Sequence, residues 1–561
     1  MSKVLSTNIT SPLGRTTQQN YQAVRSGGSA LQRYEGRWNL QEPFAASLFS
    51  DEQMSGLMVD GFTRFESVVL HSVREALERT SFDVASDRVV FILSTTKGNV
   101  EMLNADGADE GEYPGAAAKR IAKALGVTTE PIVVCNACIS GVAAQILAQR
   151  LLDAGLYDYA IVAGGEVQSK FIVSGFQAFK AVTDEVCRPF DIERIGLNLG
   201  EGAGTIILTN SATADGGWQI ADGCIRNDAY HLSSPHPQGE GYLLALRSVL
   251  GDEPLATLSV HGTATMYNDQ MESKAIERAG LSNVPLTSLK GIYGHTMGAA
   301  GIIETIITMC ATDDGIVLGA RGFEEIGVSG KVNISSEERK AEGKAFVKMM
   351  SGFGGCNGGI KFTPSGSPRR GELEDSEMRV THSVKINTTG AWVDGEKLET
   401  ESQGKALLKE LYKSRINDYA KFYKMDLLTR LTFVASELLL KAEGEETKAR
   451  EDRAVILFNR SSSIVADKQY LETIRDDENC FPSPAVFLYT LPNLTTGEIA
   501  IRNQYSGETS FYILPEKNET LMNDIIRVSF ADKKTTSIIA GWIDCPDDEN
   551  FESELSIYNN I

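Results

Sequence analysis

The sequence has 561 residues, more than one hydrophobic core usually holds, so two or more structural units are expected. Its 42% hydrophobic and 23% charged residues are those of a folded chain, and a net charge of −21 argues against general nucleic-acid or anionic-membrane binding. No run approaches the ~20 apolar residues of a membrane span, the start lacks a secretory signal's apolar core, and eight cysteines are too few for a disulfide scaffold; a cytoplasmic setting is expected.

In chain order, the apolar, β-branched runs Val89–Leu93, Ile132–Val134, Tyr159–Ala163 and Gly204–Leu208 predict buried strands. Apolar spacing of three and four predicts helices over Phe65–Arg79 and Val142–Leu152. Alternating elements of this kind imply sheets covered by helices, an α/β architecture. The glycines of Gly200–Gly204 are read as a turn, since no phosphate-loop lysine follows. From Thr363 to Glu377 the chain is rich in Pro, Gly, Ser and charge without an apolar face, which predicts a linker and a domain boundary at 366–377. Beyond Met378, a short β-rich start precedes helices at Gln403–Glu410 and Met425–Lys441, with strands at Ala454–Phe458 and Ser537–Gly541.

The segment Pro131-Ile-Val-Val-Cys135-Asn-Ala-Cys138-Ile-Ser-Gly-Val142 reads as a strand, a turn of small residues and a helix start. A turn cysteine at a helix N-terminus is favoured as thiolate by the macrodipole, so a lowered thiol pKa and a nucleophilic role are expected for Cys138. An inert core cysteine fits the segment too. Cys135-x-x-Cys138 also spells a redox or zinc half-motif, but Cys187, Cys224, Cys310 and Cys356 supply no second pair.

Two of the six histidines sit in loops rich in glycine and hydroxyls, where backbone approaches a ligand closely. They are His261, in His261-Gly-Thr263-Ala-Thr265 with Asp269 following, and His295, in Lys290-Gly-Ile-Tyr-Gly-His295-Thr-Met-Gly298-Ala-Ala-Gly301 with Glu304 following. Asn136–Gly141 resembles the nucleophile segment of β-ketoacyl synthases, and the two histidine segments resemble that family's His-Gly-Thr-Gly-Thr and Lys…Gly-His segments. Ser11–Gly14, Arg188–Asp191 with Gly200–Gly204, and Gly352–Asn357 match as well, so the resemblance covers residues 1–365 in family order. Ala264 replaces a usual glycine, Cys356 a usual threonine, and Ser94–Gly98 a more glycine-rich segment.

The resemblance implies a thiolase-like layered αβαβα fold of two pseudo-equivalent halves, 1–210 with the nucleophile and 211–365 with both histidines. It implies that Cys138 takes an acyl group from an acyl carrier protein and that a malonyl thioester is decarboxylated and condensed onto it. His261 and His295 would hold the thioester oxygen through Nε2, and Lys290 would act electrostatically through Glu304. The N–H groups of Cys138 and Phe353 would form the oxyanion site, with Phe353 and Gly354 on a gating loop and Thr263 and Thr265 beside the substrate. No metal or cofactor is implied beyond the carrier's phosphopantetheine, and dimerisation is implied, as a homodimer or a synthase-like heterodimer.

The last segment, 378–561, echoes the same family more weakly. Lys424–Leu431 resembles its early helix, and Phe481–Phe487 with Leu491–Arg502 resembles the stretch before the nucleophile. Where the cysteine would follow stands Ile513-Leu-Pro-Glu-Lys517-Asn518, so this segment is expected to be a half-like α/β domain without catalytic residues. Such a pairing suggests a dedicated pathway of aryl-polyene type. Two other readings stand beside it, a non-catalytic chain-length-factor-like partner and a Cys-His thioesterase; the thioesterase leaves one histidine and Lys290 unused.

Overall fold

The computed structural model describes residues 2–103, 111, 113–211, 217–366, 378–444, 449–476 and 481–560; of the expected linker, 367–377 lie outside the described residues. Three sheets share one plan of five strands, to which the third adds the short strands Gly390–Val393 and Glu396–Lys397 beside Met378–Asn387. In the first, Lys3–Thr10 pairs antiparallel with Gly202–Thr209, which pairs antiparallel with Tyr159–Glu166; Val89–Ser94 and then Ile132–Val134 follow in parallel. The second repeats this with Trp218–Asn227, Cys356–Pro364, Ala345–Gly352, Leu255–Ser259 and Leu286–Thr287. The third repeats it again with Met378–Asn387, Glu552–Asn560, Ser537–Asp544, Arg453–Asn459 and Thr509–Ile513.

Between the first two sheets lie helices Ser140–Asp153 and Ala300–Asp313, each in contact with strands of both. They are apolar nearly all round, as a helix covered on every side must be. They cross where glycine faces glycine: a Cβ on Gly301 would stand 2.6 Å from the Val142 nitrogen, and one on Gly141 3.0 Å from the Gly298 carbonyl. Helices Arg64–Leu77 and Glu240–Val249 cover the outer faces, which completes the αβαβα layers.

The third sheet joins the first edge to edge. Thr509–Ile513 runs antiparallel to Ile132–Val134, with Tyr512 opposite Val134. The Cys135 N–H donates to the Phe511 carbonyl at 3.0 Å, and the Phe511 N–H donates to Asn136 Oδ1 at 2.7 Å. One apolar core runs through this seam, from Phe65 and Val133 to Leu431, Leu457 and Ile539. Buried ion pairs cross it as well: Arg150–Glu508 at 2.8 Å, Arg226–Asp532, and Lys97–Asp467 at 2.7 Å.

The expected helix Phe65–Arg79 runs Arg64–Leu77, started by a Thr63–Glu66 capping box, and Met425–Lys441 runs Leu427–Glu443, capped by Asp426. One reading is corrected. Gly200–Gly204 is not a turn but lies in strands Leu199–Gly200 and Gly202–Thr209. The absent side chain at Gly204 leaves room for Ile302 and Ile303 of the central helix.

Candidate active site

The crossing of the two central helices brings the site together, because each is preceded by one of its residues. Cys138 sits in a single 3₁₀ turn, Ala137–Ile139, between strand Ile132–Val134 and helix Ser140–Asp153. Ala137 is left-handed at φ +46°, a conformation costing about 1–2 kcal/mol for a residue with a Cβ. Ser140 holds the turn, its Oγ donating to the Ala137 carbonyl at 2.6 Å and accepting from the Asn136 N–H at 2.8 Å. Asn136 also donates to the Thr509 carbonyl at 3.2 Å, which ties the nucleophile turn to the C-terminal unit.

His261 follows strand Leu255–Ser259. Its N–H and that of Gly262 both donate to the Glu272 carboxylate at 2.9 Å, so the loop is pinned to the next helix. Ala264, where a glycine is usual, has φ +61°. His295 stands between Lys290–Tyr293 and Ala300–Asp313, with its N–H on the Asn198 carbonyl at 2.7 Å. Its Nδ1 accepts from the Met297 N–H at 3.2 Å, so in the neutral ring Nε2 carries the proton. Nε2 is buried and has no partner among the described residues.

The Cys138 sulfur and ring nitrogens of His261 and His295 all lie within 4.8 Å of one another, and the two rings meet edge to face at 5.1 Å. Burial holds both imidazoles well below their ordinary pKa, helped by the positive charge of Lys290 and Lys348. They are neutral hydrogen-bond donors at physiological pH. The expected lowering of the Cys138 thiol is not found: burial pushes it up to about 12, against the pull of Lys290. Desolvation outweighs the helix end here, and the resting group is a thiol. A Cys-His-His trio is also a ligand type for zinc, and it is the one such grouping of three among the described residues.

Lys290 does reach Glu304, as expected, in a fully buried ion pair. The second cation on Glu304 was not foreseen: Lys348 lies 2.5 Å away and also donates to the Val260 carbonyl at 2.9 Å. Its signal was one charged residue inside the apolar strand Ala345–Gly352. Glu166 is a second omission. It accepts from the Gly298 N–H at 3.3 Å and Thr95 Oγ1 at 3.2 Å, and burial raises its carboxyl to about 7.

A cleft of about 380 Å³ leads from the surface to Cys138, lined also by Thr263, Thr265, Phe353 and the two histidines. Thr263 and Thr265 share a hydroxyl hydrogen bond of 2.9 Å. Phe353 lies against Phe179 and Phe176, ring centres 5.5 and 6.2 Å away. Gly354, at φ +89°, donates to the Leu232 carbonyl at 2.6 Å. Asn493 of the C-terminal unit donates to the Phe353 carbonyl at 2.8 Å. At the outer rim Ile195, Met266 and Tyr267 are exposed by 61, 56 and 78%.

Residues 3–214 match the family model "Beta-ketoacyl synthase, N-terminal domain" and residues 219–324 that for the C-terminal domain. The 3-oxoacyl-[acyl-carrier-protein] synthase 2 of Vibrio cholerae serotype O1 is 28% identical over 63% of this chain and 96% of its own. Nodulation protein E of Rhizobium sp. (strain N33) is 33% identical over 38% of this chain, a match spanning 56% of the relative's length. Among solved structures, the PfaC keto synthase–chain length factor superposes with a TM-score of 0.78 over all of this chain and 78% of its own, at 14% identity. The ketosynthase ApeO in complex with its chain length factor ApeC from Xenorhabdus doucetiae superposes at 0.54, covering 65% of this chain and 98% of its own, at 24% identity. These two share the thiolase-like fold. From the two family matches, the chain belongs to the β-ketoacyl synthases, the condensing acyltransferases.

Proposed function

We propose that residues 1–365 condense an acyl group held on Cys138 with a malonyl unit, both delivered as thioesters of an acyl carrier protein. The observation that carries this is the convergence of one thiol and two neutral imidazoles within 4.8 Å at the inner end of an open cleft. The Vibrio relative's name, 3-oxoacyl-[acyl-carrier-protein] synthase, gives carrier-bound thioesters as the substrate class.

In the first half-reaction the Cys138 sulfur attacks the acyl carbonyl. The new sulfur–carbon bond forms as the carrier's thioester bond breaks, and the thiol proton passes through an imidazole to the departing carrier thiolate. A high thiol pKa makes this transfer necessary, since little thiolate is present beforehand. Charge on the acyl oxygen is met by the Cys138 and Phe353 N–H groups.

In the second, a malonyl thioester loses carbon dioxide, and the enolate oxygen is held by His261 and His295. Nε2 of His295 is well suited, being a protonated nitrogen without another acceptor. The enolate carbon attacks the acyl-cysteine carbonyl, a carbon–carbon bond forms, and the Cys138 sulfur leaves to recover its proton from solvent. Lys290 and Lys348, both anchored on Glu304, press the imidazoles toward the neutral form, and Thr263 and Thr265 line the pantetheine arm's path. The chemistry calls on no metal and on no cofactor beyond the carrier's own arm.

The C-terminal unit we assign a partner's role. Helix Glu519–Ser529 begins two residues after Lys517, as helix Ser140–Asp153 does after Cys138. A lysine paired with Glu554 thus stands where the nucleophile would be. The chain-length-factor reading therefore applies to 378–561 and not to 1–365.

The test is intact-protein mass spectrometry of the chain and its Cys138→Ala variant, given acyl-carrier and then malonyl-carrier thioesters. An acyl adduct on Cys138, discharged as a β-ketoacyl product only when malonyl is added, is expected. Free acid released without malonyl would point to a thioesterase, and identical behaviour of the variant would end the enzymatic reading.

A further inference from the structure

Glu166 ends strand Tyr159–Glu166, is buried, and has no step in the chemistry above. Its Oε1 accepts three hydrogen bonds: from the Thr96 N–H, from Thr95 Oγ1 at 3.2 Å and from the Gly298 N–H at 3.3 Å. Oε2 is buried without a partner among the described residues. The first two bonds clamp the loop that follows the neighbouring strand Val89–Ser94. The third crosses to the other half of the synthase, to the loop that carries His295.

The third sheet repeats the clamp without the crossing. Its strand Ser537–Asp544 also ends on a carboxylate and lies beside Arg453–Asn459, as Tyr159–Glu166 lies beside Val89–Ser94. Asp544 Oδ1 accepts from the Ser461 N–H at 2.9 Å, from the Ser461 hydroxyl and from the Arg460 N–H at 3.3 Å. Ser461 stands two residues beyond its strand, as Thr96 does. A carboxylate one methylene shorter therefore suffices to hold the adjacent loop, and it does so in a unit without catalytic histidines. What Glu166 adds is the reach to Gly298.

Gly298 is gripped from both sides, since Ser94 Oγ donates to its carbonyl at 2.9 Å. A Cβ there would stand 2.6 Å from the Thr95 Cα, so glycine lets the peptide lie against the clamped loop. Met297, one residue earlier, is left-handed at φ +41°, a conformation that persists only where the surroundings over-determine it. Its N–H is the donor to His295 Nδ1, the bond that leaves the proton on Nε2. We propose that Glu166 is a positioning residue for the malonyl half-reaction, holding the Met297–Gly298 turn so that His295 presents its Nε2–H to the enolate oxygen. The inference rests on the synthase reading of Cys138. Burial raises the Glu166 carboxyl to about 7; when a proton is taken up, Oε2 is the oxygen free to carry it, and Oε1 accepts as before. The turn needs reach, not charge.

The experiment compares the full chain with its Glu166→Asp and Glu166→Gln variants. Acetyl loading of Cys138 from acetyl-pantetheine is followed by mass, and condensation of the loaded protein with malonyl-carrier thioester is timed separately. Histidine-selective ¹⁵N labelling adds the His295 Nδ1 signal, assigned by its loss in His295→Asn, as a report on the Met297 hydrogen bond. Asp keeps the charge and, like Asp544, the adjacent clamp, but the bond to Gly298 is the longest of the three and is lost first. Gln keeps the reach without the charge. Glu166→Asp should load acetyl within about twofold of wild type, condense about ten- to a hundredfold more slowly, and shift the Nδ1 signal. Glu166→Gln should rescue most of the condensation and the signal. An unmoved Nδ1 signal or wild-type condensation in Glu166→Asp, or an equal loss in both variants, would overturn the proposal. If the Asp variant does not fold, a large loss of condensation in the Gln variant overturns it alone. Failure to load acetyl on wild-type Cys138 would bring down the synthase reading and this inference with it; loading and condensation indifferent to the reach of residue 166 remove this inference only.

Discussion

Glu304 accepts from two buried ammonium groups, Lys290 and Lys348, and both charges press His261 and His295 toward the neutral form. Lys348 is itself held down to about 8 by burial, so it is charged across most of the physiological range. Replacing it by methionine removes a positive charge near both rings and keeps the Lys290–Glu304 pair. With less repulsion the imidazolium becomes easier to form, so both histidine pKa values rise toward 6.5. The neutral donors are then lost at a higher pH, and the acid limb of the condensation pH–rate profile should move upward in Lys348→Met. An unchanged acid limb would mean that burial alone sets the rings. That Cys138, His261 and His295 belong together was legible in the sequence because their segments carry distinctive spacing, and the three converge in the fold. Lys348 and Glu166 were not legible: each is a lone charge in an otherwise apolar strand, which marks a buried charge but does not say what it pairs with. The thiol pKa was misjudged for a related reason: a helix N-terminus is visible in sequence, whereas the desolvation that outweighs it exists only after folding.

The loop carrying Phe353 and Gly354 is braced by a helix from the other unit, Leu494–Asn503. A Cβ on Gly497 would stand 2.6 Å from the Gly354 carbonyl oxygen and 2.8 Å from its Cα. Both are backbone atoms that cannot rotate away. Gly497→Ala gains about 1 kcal/mol of helix propensity and meets an overpacking cost of about 1–3 kcal/mol, so stability should change little. The loop must shift, however, and misplacement of about 1 Å near a reacting centre costs about a hundredfold in rate. Acylation of Cys138, followed by mass, is therefore expected to slow by about ten- to a hundredfold while the melting temperature stays within a few degrees. A variant that loads at the wild-type rate would show that the brace is not needed. Leu491–Arg502 was legible only as a resemblance to the stretch before the nucleophile; neither its helix nor its contact was, because nothing local in a Pro-Asn-x-x-x-Gly stretch says which loop it meets. Helices with long apolar periods were placed to within two residues at either end, and the glycines Gly200–Gly204, where strand Gly202–Thr209 begins, were mistaken for a turn because they serve a helix distant in sequence.

At the scale of the whole molecule, the third sheet fills the edge of the first. A second copy cannot add to strand Ile132–Val134, because Thr509–Ile513 of the same chain already lies there, and the core continues across the seam. The edges that remain are poor templates. Leu286–Thr287 is two residues long, and on the third sheet the Gly390–Val393 hairpin ends in the exposed charged strand Glu396–Lys397. Short and charged edges resist further pairing, and a net charge of −21 adds a repulsion that favours single molecules at low salt. The two-chain assembly implied by the resemblance is in this reading contained within one chain. Sedimentation velocity should therefore give one species near 60.9 kDa, unchanged over a wide range of protein concentration and when salt screens the charge. A stable species of twice that mass would require an interface outside the sheet edges and would overturn the self-contained arrangement. A mass that doubles only at high salt would instead identify charge repulsion, rather than the filled edge, as what keeps the chains apart.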